Sequence, residues 1–203
     1  MSDTRAKDLR EEAALLAAFS KGDATAAQVL TDRHLDPCYG LALRMLNSTA
    51  EAEEVAQDAM LRLWKTAPSW RSGEARISTW LYRVTANLCT DRLRRRPRQV
   101  GLDQAQEVPD QSPSAQAQME GADRQNALYQ GLALLPERQR LAMVLRHLQE
   151  RSNPEIAQIM DLSVDAVESL LSRGKRGLRK VLEAQGALDK GAGAQGRKDQ
   201  AHG

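Results

Sequence analysis

The sequence predicts an all-α protein of two small helical domains joined by a flexible acidic linker, the second domain containing a helix-turn-helix. Three observations lead there. Apolar residues recur at helical spacing on both sides of a central stretch that has no periodicity. Hydrophobic residues make up 41% of the 203 residues but aromatic ones only 3%, so any core is mostly aliphatic and helical. The net charge of +2 hides segregation: Arg83, Arg92, Arg94, Arg95, Arg96 and Arg98 face only Asp91 between positions 83 and 98, whereas Gln99 to Asp123 carries five acidic residues and no Lys or Arg. Basic blocks separated by an acidic one suit a polyanion partner touched at two places. The expected divisions are 8–98, a linker over 99–122, a second domain over 123–184 and a disordered tail over 185–203.

The first helix is expected over residues 8 to 20, broken by Lys21-Gly22-Asp23, and the second from about Thr25 to Leu46 with a bend near Pro37. Asn47-Ser48-Thr49 reads as turn and cap, with acidic residues following where the helix dipole favours them. The third helix, about Ala50 to Thr66, has a core stripe of Ala52, Val55, Ala56, Ala59, Met60 and Leu63. Opposite lie Glu54, Asp58, Leu61, Arg62 and Lys65. Leu61 is apolar among charges, which marks either a partner surface or a single surface leucine.

Pro68 to Arg76 forms a loop, and Ser78 or Thr79 is expected to cap the fourth helix. Its apolar side is Ile77, Leu81, Val84, Leu88, Cys89 and Leu93. Trp80, Arg83, Asn87, Thr90 and Arg94 share the other side, a stripe able to contact phosphates and bases. Trp64, Trp70 and Trp80 lie in or beside the loop. Rings next to arginines can stack an unpaired base, or they can fill a core with little else aromatic. Trp64 is expected in the core; Trp70 and Trp80 stay open between the two. Arg94-Arg95-Arg96-Pro97 closes the helix.

Helical patterning resumes from Asp123 to about Leu134 and again from Pro136 to Leu148, leading into a helix-turn-helix. Asn153 is expected to cap its first helix, with Pro154 at the first helical position, where no N–H is needed. Asp161 sits where the turn wants positive φ, and Ser163 caps the second helix. On that helix Val164, Val167, Leu170, Leu171, Leu178 and Val181 share one arc. Asp165, Glu168, Ser169, Ser172, Arg173, Arg176 and Arg179 share the other, and from Glu168 to Lys180 five basic residues stand against one acidic. Short polar side chains followed by Arg and Lys suit major-groove reading with phosphate anchoring; an ordinary solvated face has the same pattern.

Nothing in the sequence asks for an enzyme, a cofactor or a metal. Cys38 and Cys89 form no ligand spacing and are expected as reduced, buried thiols; His34 and Cys38 are four apart, but Pro37 is expected to interrupt the helix that would align them. No apolar run approaches membrane-spanning length and no signal-peptide pattern opens the chain, so a cytoplasmic protein with no membrane insertion is expected.

Four motifs then occur in a telling order: Glu53-Glu54-Val55-Ala56-Gln57-Asp58-Ala59-Met60-Leu61-Arg62-Leu63-Trp64, Ser78-Thr79-Trp80-Leu81-Tyr82-Arg83-Val84-Thr85-Ala86-Asn87, Leu135-Pro136-Glu137-Arg138-Gln139-Arg140, and the helix-turn-helix. Over residues 8 to 184 the chain resembles the extracytoplasmic-function (ECF) sigma factors of bacterial RNA polymerase. The resemblance implies a first domain, region two, that binds the clamp of the polymerase's largest subunit and opens the minus-ten element. It implies a second, region four, that meets the flap of the second largest subunit and reads the minus-thirty-five element. It assigns core polymerase binding to Gln57, Asp58, Leu61 and Arg62. Minus-ten contacts fall to Trp70, Arg71, Trp80, Arg83, Asn87 and Arg94, and minus-thirty-five contacts to Asp165, Glu168, Ser169, Ser172, Arg173 and Arg176. It further implies an anti-sigma partner and a role in a stress or envelope response.

Glu168 departs from relatives with a basic residue there; a carboxylate in the groove can accept from a cytosine amino group but repels phosphates. Gly174 and Gly177 each cost about 1 kcal/mol in a helix interior relative to Ala, and close helix packing would account for them. The acidic linker fits a basic, RNA-shaped channel or a plain tether equally. A stand-alone regulator and a protein adaptor are the competing classes. The first is opposed by an N-terminal half with no phosphoacceptor pocket, ligand barrel or dimerisation seam. The second predicts that charge reversal at Arg173 and Arg176 leaves transcription unchanged.

Overall fold

A computed structural model describes residues 2–71, 76–96 and 127–184, and the expected linker and tail lie outside the described residues. Among the described residues every regular element is a helix. They are α1 (Ser2–Phe19), α2 (Ala24–Leu46), α3 (Thr49–Thr66), a short 3-10 turn (Ala67–Ser69), α4 (Ile77–Arg95), α5 (127–133), α6 (Glu137–His147), α7 (Asn153–Met160) and α8 (Val164–Ala184).

Local chemistry sets the boundaries. Gly22 takes φ 93° after α1, and the Asp23 carboxylate accepts from the N–H groups of Thr25 and Ala26 to start α2. Asn47 ends α2 in the left-handed region at φ 52°, and Ser48 Oγ accepts from Glu51 N–H to begin α3. Contrary to expectation, α2 runs through Pro37 as one helix, so His34 and Cys38 do share a helix at i, i+4. No group of three or more potential metal ligands occurs among the described residues. The fourth helix begins one residue before Ser78; its cap position is Arg76, with no side-chain cap bond.

The buried residues of α3 are Ala52, Val55, Ala56, Ala59, Met60 and Leu63, the expected stripe. They meet Leu30, Leu41 and Met45 of α2 and Ile77 and Leu81 of α4. Each fully buried leucine is worth about 1.5–3 kcal/mol relative to exposure. Trp64 is half-buried, its ring 4.5 Å from that of Phe19. The fourth helix buries more than its predicted face: Tyr82, Thr85 and Ala86 are also inside, because α4 packs on α2 and α3 and also on α7.

In the second half, α6 and α7 close over α8 around Val144, Leu145, Ile156, Val167 and Leu171. Ser152, not Asn153, caps α7. Glu155 lies three residues after Ser152 and completes a reciprocal capping box, Ser152 N–H donating to Glu155 Oε2 at 2.9 Å and Glu155 N–H to Ser152 Oγ at 3.4 Å. Asp161 has φ 55°, as the turn requires, and Ser163 Oγ accepts from Ala166 N–H at 3.2 Å. Val164 is 38% exposed rather than buried, while Gly174 is buried on the inner arc. A Cβ on Gly174 would lie 2.7 Å from Met143 Cγ, and one on Gly177 2.8 Å from Leu135 Cδ2; both glycines admit α6 and the turn before it close to α8.

The two halves share one apolar core, with α6 against α2 and α7 against α4. Arg140, only 9% exposed, spans the junction. Its Nη1 donates to Met45 O at 2.8 Å and its Nη2 to Ala133 O, bonds that offset the burial and the nearby Arg96 that both work against its charge.

Candidate nucleic-acid interfaces

Helix α4 holds the first candidate face. Arg83, Asn87 and Arg94 are exposed on it, with Trp80 and Thr90 half-buried at its edge. Trp70 leaves the 3-10 turn in extended backbone and meets Trp80 edge-on, ring centroids 5.8 Å apart at 83°. The two rings brace one another against the core. Arg71 is exposed beside them; positions 72–75 of the loop lie outside the described residues. Both rings are half-buried and pack in part on the core.

This face meets the second half. Arg83 Nη2 lies 3.3 Å from Asp161 Oδ2 in the turn of the helix-turn-helix, and Arg94 Nε lies 3.9 Å from Glu137 Oε2 at the start of α6. Two arginines of this face are thus paired with carboxylates of the second half. Beneath them the Tyr82 hydroxyl donates to Gln149 Oε1 at 2.8 Å, and the Arg151 guanidinium lies 5.3 Å from the Tyr82 ring centroid. Burial raises the Tyr82 pKa despite Arg151, which keeps the hydroxyl a donor. The sequence reading missed Tyr82, Arg140, Gln149 and Arg151 as functional positions, because no local periodicity encodes a junction between domains.

On α3, Gln57, Asp58, Leu61 and Arg62 are all exposed along one face, Leu61 by 54%. Arg92 of α4 reaches across to Glu54 at 2.8 Å and Asp58 at 3.8 Å, fixing the flank of this face. The third face is the outer side of α8. Asp165, Glu168, Ser172, Arg173 and Arg176 are exposed and Ser169 is half-buried. Arg173 Nη2 donates to Ser169 Oγ at 2.7 Å, and Glu168 Oε1 accepts from Asn153 Nδ2 at 3.3 Å. Lys175, Arg179 and Lys180 extend the positive charge toward the end of the helix.

Cys38 and Cys89 are free and buried, and burial pushes their thiols up to about 11 and about 12. They are thiols at neutral pH, poor nucleophiles and poor ligands. No helix among the described residues is long and apolar enough to cross a membrane.

A basic and amide-bearing stripe on one helical unit, joined to a helix-turn-helix with a polar and basic outer face, defines a two-part sequence-specific DNA-binding protein. The family models agree: residues 30–99 match Sigma-70 region 2 and residues 125–178 match Sigma-70, region 4. The chain is 30% identical to the ECF RNA polymerase sigma factor SigW of Bacillus subtilis over 80% of its own length and 91% of that protein. It is 33% identical to the ECF RNA polymerase sigma factor SigM of Mycobacterium tuberculosis, over 85% of each. Among solved structures, CnrH, in complex with the cytosolic domain of CnrY, matches with a TM-score of 0.65 at 23% identity, over 85% of this chain and 97% of that one. The sigma factor RpoE of Bartonella quintana, in complex with the anti-sigma factor NepR, matches with a TM-score of 0.62 at 20% identity, over 77% and 96%. The chain belongs to the ECF RNA polymerase sigma factors. It is a transcription initiation factor and no enzyme; its partners are core RNA polymerase and promoter DNA.

Proposed function

We propose that the three faces divide this work. Gln57, Asp58, Leu61 and Arg62 dock on the clamp of core polymerase, with Leu61 as the apolar centre of a charged patch. Trp70, Arg71, Trp80, Arg83, Asn87 and Arg94 take the minus-ten element as it opens, the tryptophans offering ring surface to an unstacked base. Asp165, Glu168, Ser169, Ser172, Arg173 and Arg176 enter the groove at minus thirty-five. The first face and the minus-ten contacts belong to 8–98, the minus-thirty-five contacts to 123–184, which also meets the flap. The protein acts in the cytoplasm, and an anti-sigma factor covering these faces holds it inactive until a stress or envelope signal releases it.

The observation that carries this reading is that Arg83, Asn87 and Arg94 are exposed along one stripe of α4 while Asp165, Glu168, Ser172, Arg173 and Arg176 are exposed on a separate helix, α8. The two elements lie about 25 base pairs apart, roughly 85 Å at 3.4 Å per pair. α7 packs on α4 and α8 packs on α7, so at most about 20 Å separates the two reading helices at ordinary interhelical spacing. Engaging both elements therefore requires the halves to part, with DNA phosphates replacing Asp161 at Arg83 and Glu137 at Arg94. The thirty positions from 97 to 126 reach at most about 100 Å, enough for the span.

Variants separate the roles. Trp70→Ala should impair promoter opening more than core binding, and equal loss of both would count against base holding. Arg83→Ala should weaken promoter melting while leaving affinity for core polymerase unchanged.

A further inference from the structure

We propose that Asn153 is a specificity-positioning residue for the minus-thirty-five element: its side-chain amide holds the Glu168 carboxylate so that the second carboxylate oxygen accepts from the exocyclic amino group of a cytosine. The inference rests on the reading of α8 as the groove-entering helix.

Three features of the structure converge on it. Asn153 has no capping duty, because the reciprocal bonds between Ser152 and Glu155 already start α7. Its amide nitrogen instead crosses to the neighbouring helix, Nδ2 donating to Glu168 Oε1 at 3.3 Å. Its own Oδ1 is buried with no hydrogen-bond partner, so the bond to Glu168 is the side-chain amide's one polar contact among the described residues. The consequence for Glu168 is orientation without neutralisation. Asn153 is uncharged, and Arg173, five residues further along the face, is committed to Ser169 Oγ at 2.7 Å. Glu168 is exposed in the second turn of α8, the part of a recognition helix that reaches base edges. A carboxylate only accepts, and in the major groove cytosine N4 offers a donor with no acceptor of its own beside it, whereas guanine offers N7 and O6 and adenine sets N7 next to its amino group. One position of the minus-thirty-five element is therefore cytosine on the strand facing Glu168.

The test is transcription by core polymerase reconstituted with the full chain, on a promoter library randomised across the minus-thirty-five element, reading base frequencies among transcripts. The wild type should enrich cytosine at one position by about tenfold or more. Glu168→Gln should abolish that enrichment. Asn153→Ala should reduce it several-fold at the same position only, with core binding and thermal midpoint held. Enrichment of adenine in place of cytosine overturns the proposal. If Glu168→Gln removes the preference and Asn153→Ala leaves it intact, the carboxylate reads without help and positioning is refuted. A uniform loss across all positions with a lowered midpoint makes Asn153 structural and also refutes it. A wild type with no base preference anywhere in the element sinks the minus-thirty-five reading itself.

Discussion

The Tyr82 hydroxyl donates to Oε1 of Gln149 at 2.8 Å, tying the helix that bears Arg83 and Asn87 to the segment that leads into the helix-turn-helix. Tyr82 is buried, so this bond is shielded from competing water and adds to the bond of Arg140 Nη1 to Met45 O in holding the halves together, while the Arg140 bond to Ala133 O lies within the second half. The exposed pairs Arg83–Asp161 and Arg94–Glu137 contribute little by comparison, at most about 1 kcal/mol each. Tyr82→Phe should loosen the junction by about 0.5–1.5 kcal/mol, and Arg140→Met by about 1–3 kcal/mol because the Met45 carbonyl across the junction loses a charged donor. Distance distributions between labels on the two halves of the protein in solution should shift outward in both variants, more so in the second. Unchanged distributions would mean that these bonds do not hold the closed arrangement.

Gly174→Ala should destabilise the protein despite better helix propensity. The new methyl would sit 2.7 Å from Met143 Cγ and 3.1 Å from its sulfur, inside a packed junction. Overpacking costs about 1–3 kcal/mol and the propensity gain returns about 1. Gly177→Ala meets Leu135 Cδ2, the end of a flexible side chain, and should cost less. Thermal unfolding of the two variants checks the order; a Gly177→Ala cost larger than that of Gly174→Ala would contradict it.

Leu61→Asp should leave stability within about 0.5 kcal/mol, since the side chain is 54% exposed and outside the core. Binding to core polymerase should fall at least tenfold, the effect of removing an apolar anchor at an interface centre. Retained affinity would reduce Leu61 to an isolated surface leucine.

Acid should weaken the helix-turn-helix through Glu155. Burial alone would raise its pKa, but hydrogen bonds from the Ser152 hydroxyl and backbone, with Arg151 and Arg76, bring it below the ordinary 4.5. A depressed folded value means that the stabilisation is present above 4.5 and disappears as pH falls through the folded pKa. Stability against pH should therefore drop on the acid side of 4.5, and Glu155→Gln should lower the neutral-pH plateau while flattening that drop. Parallel curves for wild type and variant would show that Glu155 is not the group responsible.

What the sequence made legible was what period and local chemistry control. The α3 stripe, the exposure of Leu61, the positive φ of Asp161 and the Ser163 cap all follow from a few neighbouring residues. The cap of α7 was legible but misread: Ser152 and Asn153 both suit the position, and Glu155, three residues after Ser152, decides between them. The burial of Tyr82, Thr85 and Ala86 was not legible, because a helix packed on two sides violates the single-face assumption. Val164 is exposed because the first residue of α8 overhangs the arc that buries Val167 and Leu171. Asn153 and Glu168 are fifteen positions apart, and only the turn at Asp161 brings them together.

The most direct test of the account is transcription of fragmented genomic DNA by purified core polymerase with and without this protein. The account predicts new discrete start sites that depend on it and share two upstream elements, the distal one carrying a fixed cytosine. No new starts, together with tight binding of the protein alone to duplex DNA, would contradict the assignment of its faces and point to a regulator that acts without polymerase.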